Sequence, residues 1–176
     1  DRALRERFGL AYRGGEMVQP WFAEKYGKKE TKFFGKVRLI YEFYSDIECE
    51  AELAAEYENV SCNGIKAEQT SKRWVDCCYH VYRIDVCQGR NEIAMEIEYG
   101  ASSNIEAVFL LGMFGVSPTA LKIVSLPDKL ATDEIGAQGF PFYSGAIRYK
   151  TGISCGRIKI KLENLHAVSL HAGSGK

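Results

Sequence analysis

Apolar and polar residues alternate one by one along most of this chain, which is a pattern with a period of two. From Val37 to Phe43 the odd positions are apolar and the even ones mostly charged, and the alternation recurs at 93–99 and 157–163. Successive side chains of a strand point to opposite faces, so each segment predicts a strand with one buried and one wet face. Runs of apolar, β-branched or aromatic residues predict further strands at 50–62, 79–87, 105–112, 120–125 and 140–150.

Turn residues separate these segments. Asn63-Gly64 predicts a hairpin, because a type I′ turn needs positive φ at both central residues. Gly89-Arg90-Asn91 predicts a looser turn between two alternating runs. Strands with one wet face that are joined by turns are typical of antiparallel sheets. The predicted fold is therefore all-β: an antiparallel two-sheet β-sandwich of the jelly-roll type.

Helix is predicted only near the start of the chain. Residues 1–8 are expected to form a turn or two, and Pro20–Tyr26 has a proline at a plausible first helical position. Residues 1–35 are thus interpreted as an N-terminal extension and residues 36–176 as the sandwich. The sequence pattern of residues 140–170 is weakly similar to that of 37–64. Residues 140–176 therefore have two interpretations. They are strands that complete this sandwich, or they are the beginning of a second sandwich or an exchange strand toward one.

Four segments carry a resemblance to a known group of domains: Val60–Gly64, Tyr82–Ile93, Ile105–Val116 and, most closely, Gln138–Tyr149. Together they resemble the galactose-binding-like β-sandwich domains that accompany the catalytic modules of bacterial glycoside hydrolases. The resemblance covers about residues 36–165. It implies a jelly-roll accessory domain that positions a catalytic module and contacts carbohydrate. No segment resembles the barrel strands that carry catalytic carboxylates, so the expected role is non-catalytic.

Two other functions remain open beside this one. The chain would be a purely structural interdomain module without a ligand if its aromatic residues only pack or dock. It would be a self-contained glycosidase only if carboxylates converged in a cleft, at the separations of ~5–9.5 Å that retaining and inverting enzymes use. The candidate carboxylate pairs are Glu96 with Glu98, which share the wet face of a predicted strand, and the adjacent Asp133 and Glu134. Both pairs are better explained as solvated surface charge.

Charge content narrows the classes of partner, and cysteine content bears on the redox state and location of the chain. Lys and Arg number 23 and Asp and Glu also 23, so there is no basic surplus for nucleic acid or an anionic membrane surface. No apolar run reaches the ~18 residues of a spanning helix, and the first residues lack the apolar core of a secretion signal. The cysteines are scattered through strand-like segments, which favours reduced, buried thiols and slightly favours a cytoplasmic location. They are Cys49, Cys62, Cys77, Cys78, Cys87 and Cys155.

The Cys77-Cys78-Tyr79-His80 run, with His166 and His171, lacks the paired spacing of a zinc site, so no metal or cofactor is predicted. Aromatic residues beside polar ones are the remaining candidates, because sugars present flat apolar faces edged with hydroxyl groups. The predicted carbohydrate-binding residues are Trp74, Asp76 and Arg73 in a loop-like segment, together with Tyr143. For Trp74 the alternatives are core packing and docking to a neighbouring domain.

Overall fold

The structure is a computed structural model that describes residues 1–12, 32–105, 107–131 and 133–148. The chain divides into two units, residues 1–143 and 144–176, and the second is described only over 144–148, where it forms no helix or strand. The elements of the first unit are α1 Arg2–Arg7, β1 Phe33–Ser45, β2 Cys49–Ala55, β3 Ser61–Cys62, β4 Ile65–Lys66, β5 Glu68–Trp74, β6 Asp76–Val86, β7 Gly89–Gly100, β8 Val108–Leu111, β9 Gly115–Val116, β10 Ile123–Val124 and a 3₁₀ helix Gly136–Gln138.

The strands form two sheets. The first sheet has the order β4-β3-β7-β1-β10-β9, and the second has the order β5-β6-β2-β8. Every pairing in them is antiparallel except β1 with β10, which meet in parallel at Ser45 and Ile123. The prediction of an all-β, antiparallel two-sheet sandwich with a short N-terminal helix is confirmed.

Alternation explains how the core forms. On β7 every second residue from Asn91 to Tyr99 is buried, whereas Glu96 and Glu98 point to the wet face as predicted. Leu53 and Tyr82 supply the facing side from the second sheet, and Leu53, Met95 and Tyr99 are at most 1% exposed. Removing these apolar side chains from water is the main force that holds the sheets together.

Several strand predictions needed correction. The predicted strand 50–62 is two strands, because the chain turns at residues 56–60. The predicted strand 140–150 is wrong over residues 140–148, where turns and bends replace it; Gly139 adopts φ 101°, and Pro141 lacks the N–H that a ladder needs. Strand β5 was missed altogether. The predictions for 157–163, Pro20–Tyr26 and Cys155 lie outside the described residues.

One side chain locks the β3–β4 hairpin to the turn between β6 and β7. That turn lies at residues 87 and 88, so the predicted turn Gly89–Asn91 is wrong in position, because Gly89 already begins β7. Asn63 and Gly64 have φ of 51° and 80°, which confirms the predicted hairpin between β3 and β4. Asn91 is fully buried, and its Oδ1 accepts hydrogen bonds from Cys87 N (2.9 Å) and Asn63 Nδ2 (2.8 Å). Its Nδ2 donates to Cys87 O (2.7 Å) and Gly89 O (3.2 Å). All four hydrogen-bonding positions of this amide are therefore used, as a buried amide requires. We call this set of bonds the asparagine clasp.

Helix α1, predicted within residues 1–8, docks on the sandwich through one buried cation. Arg5 is 9% exposed; its Nε donates to Ala11 O (2.8 Å) and its Nη1 to Ala101 O (2.9 Å). Asp1 lies 3.8 Å from this guanidinium and accepts a hydrogen bond from the Tyr99 hydroxyl (2.6 Å). Phe8 stacks on the Tyr99 ring at 5.6 Å. The helix therefore ties the N-terminus to the polar loop at 101–104.

The asparagine clasp makes a testable prediction. Asn91→Ala removes two acceptor and two donor contacts, leaves the backbone N–H of Cys87 without its partner and empties the buried space of the amide, so we expect the free energy of unfolding to fall by about 2–4 kcal/mol. Urea denaturation of the purified chain measures it. The matched control is Gln88→Ala, an exposed residue of the same turn, which should change stability by no more than about 0.5 kcal/mol. Equal losses in the two variants would contradict the role of the clasp.

Candidate functional site

The outer face of the second sheet carries an apolar area that alternation alone does not explain. On β2, Ala51, Leu53 and Ala55 face the core, so Ala54 points outward. Ala54 pairs across the strands with Val81 of β6 and Phe109 of β8. Nevertheless Ala54 is 0% exposed and Val81 is 2% exposed. Other side chains must therefore cover this face.

Three aromatic rings lie over it. Trp74, at the end of β5, packs against Phe109 with ring centroids 4.6 Å apart and planes tilted by 45°. Tyr79 of β6 meets Trp74 at 6.4 Å and Phe109 at 5.6 Å, both edge to face. These separations are those of favourable aromatic pairs. We call Trp74, Tyr79 and Phe109 the aromatic cluster.

The cluster is only partly covered by protein. Phe109 remains 37% exposed and Trp74 is intermediate. Burial raises the pKa of the Tyr79 hydroxyl, and the nearby Cys78, Glu56 and Asp76 raise it further. The hydroxyl therefore stays protonated at neutral pH and is available as a hydrogen-bond donor.

The hairpin between β5 and β6 brings three of the four predicted carbohydrate-binding residues together. Trp74 and Asp76 pair directly across it, and Val75 alone connects them. Arg73 Nε donates to Cys77 O (3.0 Å) and its Nη1 to Lys72 O (3.2 Å), so its exposed guanidinium is held against the hairpin backbone. Asp76 Oδ1 accepts a long hydrogen bond from Cys78 N (3.4 Å). The segment that the sequence predicted to be loop-like is thus the end of a strand and a tight turn.

Charged residues border the cluster along β2. Glu52, two residues before Ala54, accepts a hydrogen bond from Lys72 Nζ at 2.5 Å, and the pair bridges β2 and β5 over the outer face. Across the strands Glu52 faces Arg83, which in turn lies 3.7 Å from Glu68. Partly exposed ion pairs contribute little stability. Their effect here is to surround an apolar area with groups that exchange hydrogen bonds with solvent or ligand.

The fourth predicted residue, Tyr143, lies on a different segment. Gly139 O accepts a hydrogen bond from Val116 N (2.8 Å), so the chain before Tyr143 runs beside β9 at the edge of the first sheet. Tyr143 is 47% exposed and packs edge to face against Phe140 at 6.1 Å. The sequence offered Tyr143 as a candidate apart from the Trp74 segment, and the structure places Trp74 in the second sheet and Tyr143 outside both sheets.

Sequence reasoning missed Tyr79 and Phe109. Tyr79 was grouped with its cysteine neighbours as part of a doubtful metal motif. Phe109 lies in the run Val108–Leu111, where all residues are apolar and no alternation marks the outward one. The register of the strands in the second sheet brings these rings together. The local sequence of each strand does not contain that register.

The other candidate groups do not converge. On β6 the Cys77–His80 run alternates, so Cys77 and Tyr79 face away from Cys78 and His80. Burial raises the pKa of the Cys78 thiol to about 12, which keeps it neutral. No group of three or more His, Cys, Asp or Glu residues within the described ranges could hold a metal ion. The five described cysteines form no disulfide, but Cys77 and Cys87 are exposed, which corrects the prediction that the thiols are buried.

The carboxylate pairs also lie apart from the cluster. Glu96 and Glu98 are exposed on the first sheet opposite Arg38 and Lys36. Asp133 and Glu134 are exposed, and the Asp133 carboxylate accepts a hydrogen bond from Glu134 N at 2.8 Å. Both pairs are solvated surface charge.

Comparison with known proteins found no match: neither a family model, nor a curated protein, nor a solved structure resembles this chain significantly. Within the residues that the structure describes, no helix is long and apolar enough to cross a membrane.

The turn beside Trp74 makes a second testable prediction. Val75 has φ 60° and is 91% exposed, and a β-branched residue rarely adopts this left-handed conformation. Val75→Asn should raise the free energy of unfolding by about 0.5–1 kcal/mol, because asparagine tolerates positive φ far better. Val75→Thr keeps the β-branch and is the matched control without a gain. Chemical denaturation measures both, and a loss of stability in Val75→Asn would contradict the strain.

Proposed function

We propose that this chain is a non-catalytic accessory β-sandwich of a glycoside hydrolase, and that it binds carbohydrate through the aromatic cluster. The observation that carries the binding proposal is the cluster itself, three partly exposed rings on the outer face of a sheet. The accessory role rests on the resemblance of four segments, above all Gln138–Tyr149, to the sandwich domains that accompany glycosidase modules.

The chemistry of the area suits a sugar. One face of a pyranose ring is a patch of C–H groups, which stacks on an aromatic ring, and its rim is hydroxyl groups that need hydrogen-bond partners. Trp74 and Phe109 supply the apolar surface. The Tyr79 hydroxyl, the Arg73 guanidinium and the Asp76 carboxylate supply donors and acceptors at its edge. A surface that binds another protein only through apolar contacts would need the rings alone, without these polar groups.

The tilt of the rings suggests which form of carbohydrate is bound. Their planes differ by 45°, 67° and 88°, so they do not form one flat platform. A flat crystalline polysaccharide surface would need coplanar rings. Tilted rings instead receive sugar units of one bent, soluble chain, with Trp74 as the central contact.

The positions of the carboxylates support the non-catalytic part of the proposal. Glycoside hydrolysis requires two carboxyl groups on either side of the scissile bond. Beside the cluster, the Glu52 carboxylate is held in an ion pair with Lys72. The two pairs that the sequence offered lie on exposed surface away from the cluster.

The binding proposal makes a third prediction. A panel of soluble glycans should contain at least one ligand, and Trp74→Ala should raise its Kd about tenfold or more, which corresponds to ~1.4 kcal/mol for the loss of an aromatic anchor. Isothermal titration calorimetry and affinity electrophoresis measure it. Tyr44→Ala is the matched control, since Tyr44 is an aromatic residue of the first sheet that is 55% exposed, and its removal should leave Kd unchanged.

Three outcomes would contradict parts of the proposal. Absence of binding across the panel would remove the carbohydrate function and favour an interdomain module, for which the 91% exposed Val75 beside the rings is the supporting observation. Equal losses of affinity in the Trp74 and Tyr44 variants would show that binding does not depend on the aromatic cluster. Release of product from aryl glycosides by the purified chain would show that it is catalytic.

A further inference from the structure

Two cysteines from distant parts of the chain line one cleft at the end of the sandwich. Cys62 is the last residue of β3, and Cys87 follows β6. The cleft has a volume of about 670 Å³ and lies between the β3–β4 hairpin and the ends of β2, β6 and β8. Cys62 is 5% exposed, whereas Cys87 is exposed to solvent. One thiol is therefore accessible and the other lies in the core.

The asparagine clasp holds the two cysteines near each other. The Asn91 Oδ1 atom accepts from Asn63, the neighbour of Cys62, and also from the backbone N–H of Cys87. The thiol of Cys62 points toward the end of β6, because its Sγ lies 3.6 Å from the carbonyl oxygen of Asp85, two residues before Cys87. The Cys87 thiol is also near enough to Cys62 to raise the pKa of the Cys62 thiol, and a disulfide between them needs Cα atoms about 4.4–6.8 Å apart.

We propose that Cys62 and Cys87 are a thiol modification site, in which Cys87 reacts with a small-molecule disulfide and Cys62 resolves the product into an intramolecular disulfide. The site shares no residue with the aromatic cluster, so it stands or falls independently of carbohydrate binding.

The reaction balances in two exchanges. The Cys87 thiolate attacks one sulfur of the small disulfide, the S–S bond breaks, and one small thiolate leaves and takes up a proton. The Cys62 thiolate then attacks the Cys87 sulfur of this mixed disulfide and expels the second small thiol. The protein loses two electrons and two protons, and the small disulfide is reduced to two thiols.

The environments of the two sulfurs assign the order of the exchanges. Burial, together with the nearby Cys87 and Asp85, raises the pKa of Cys62 to about 11. Only the thiolate attacks a disulfide. The buried sulfur is therefore the slow second nucleophile. Between pH 7 and 9, where the pH is well below the pKa of this thiol, the thiolate fraction rises about tenfold per pH unit. The resolving step should accelerate in the same proportion.

The experiment treats the 176-residue chain with oxidised glutathione and follows it by intact mass and peptide mapping. The expected result is a transient glutathione adduct on Cys87 and then a linked peptide pair containing Cys62 and Cys87, with a loss of about 2 Da from the reduced mass. The oxidised chain should melt about 5–10 °C higher, since the bond constrains the unfolded state.

Variants separate the roles of the two cysteines. Cys62→Ala should retain the glutathione adduct on Cys87 without further reaction, and the exposed Cys87→Ser, which leaves the core intact, should form neither an adduct at position 87 nor a cross-link to Cys62. Cys77→Ser is the matched control, an exposed cysteine elsewhere, and should oxidise like the wild type. A stable adduct on wild-type Cys87, a cross-link to a different cysteine, or wild-type thiols that survive the treatment would each overturn the proposal.

Discussion

The buried amide of Asn91 holds together two turns that the sandwich needs in fixed positions. Its four hydrogen bonds join the crossing from β6 to β7, which carries the chain from one sheet to the other, to the β3–β4 hairpin. A buried amide with all its partners present gives a unique geometry, whereas the loss of one partner leaves a desolvated group. The strand register around it, and the cleft that contains Cys62 and Cys87, depend on this arrangement.

The outer face of the second sheet shows a different use of small side chains. Ala54 and Val81 leave room above the sheet, and rings from three strands fill that room from both sides. Larger residues at these positions would lift the rings from the sheet. The aromatic cluster therefore depends on side chains that contact no ligand, and its shape follows from the register of β5, β6, β2 and β8.

Sequence pattern predicted the parts of the fold in which one face is buried. β1 and β7 alternate because each has a core side and a wet side, and the Asn63-Gly64 turn needs the positive φ that those residues tolerate. β5 escaped prediction because an edge strand with mostly exposed residues has no buried face to mark. For the candidate site, the sequence grouped Trp74, Arg73 and Asp76 because one hairpin carries them. Tyr79 and Phe109 were not included, since only the pairing of four strands brings them to Trp74, and Tyr143 was predicted from composition alone.

The irregular pairing of β5 affects how copies of this domain behave at high concentration. An outer strand with a regular ladder offers its free N–H and C=O groups to any other strand, which begins aggregation. β5 shifts register between Gln69 and Arg73 and again before Trp74, and it carries Lys72 and Arg73 along this interval. At the opposite border of the sheet β8 has only four residues. Both borders of the second sheet are therefore poor templates for another strand, which reduces edge-to-edge pairing between copies at this sheet.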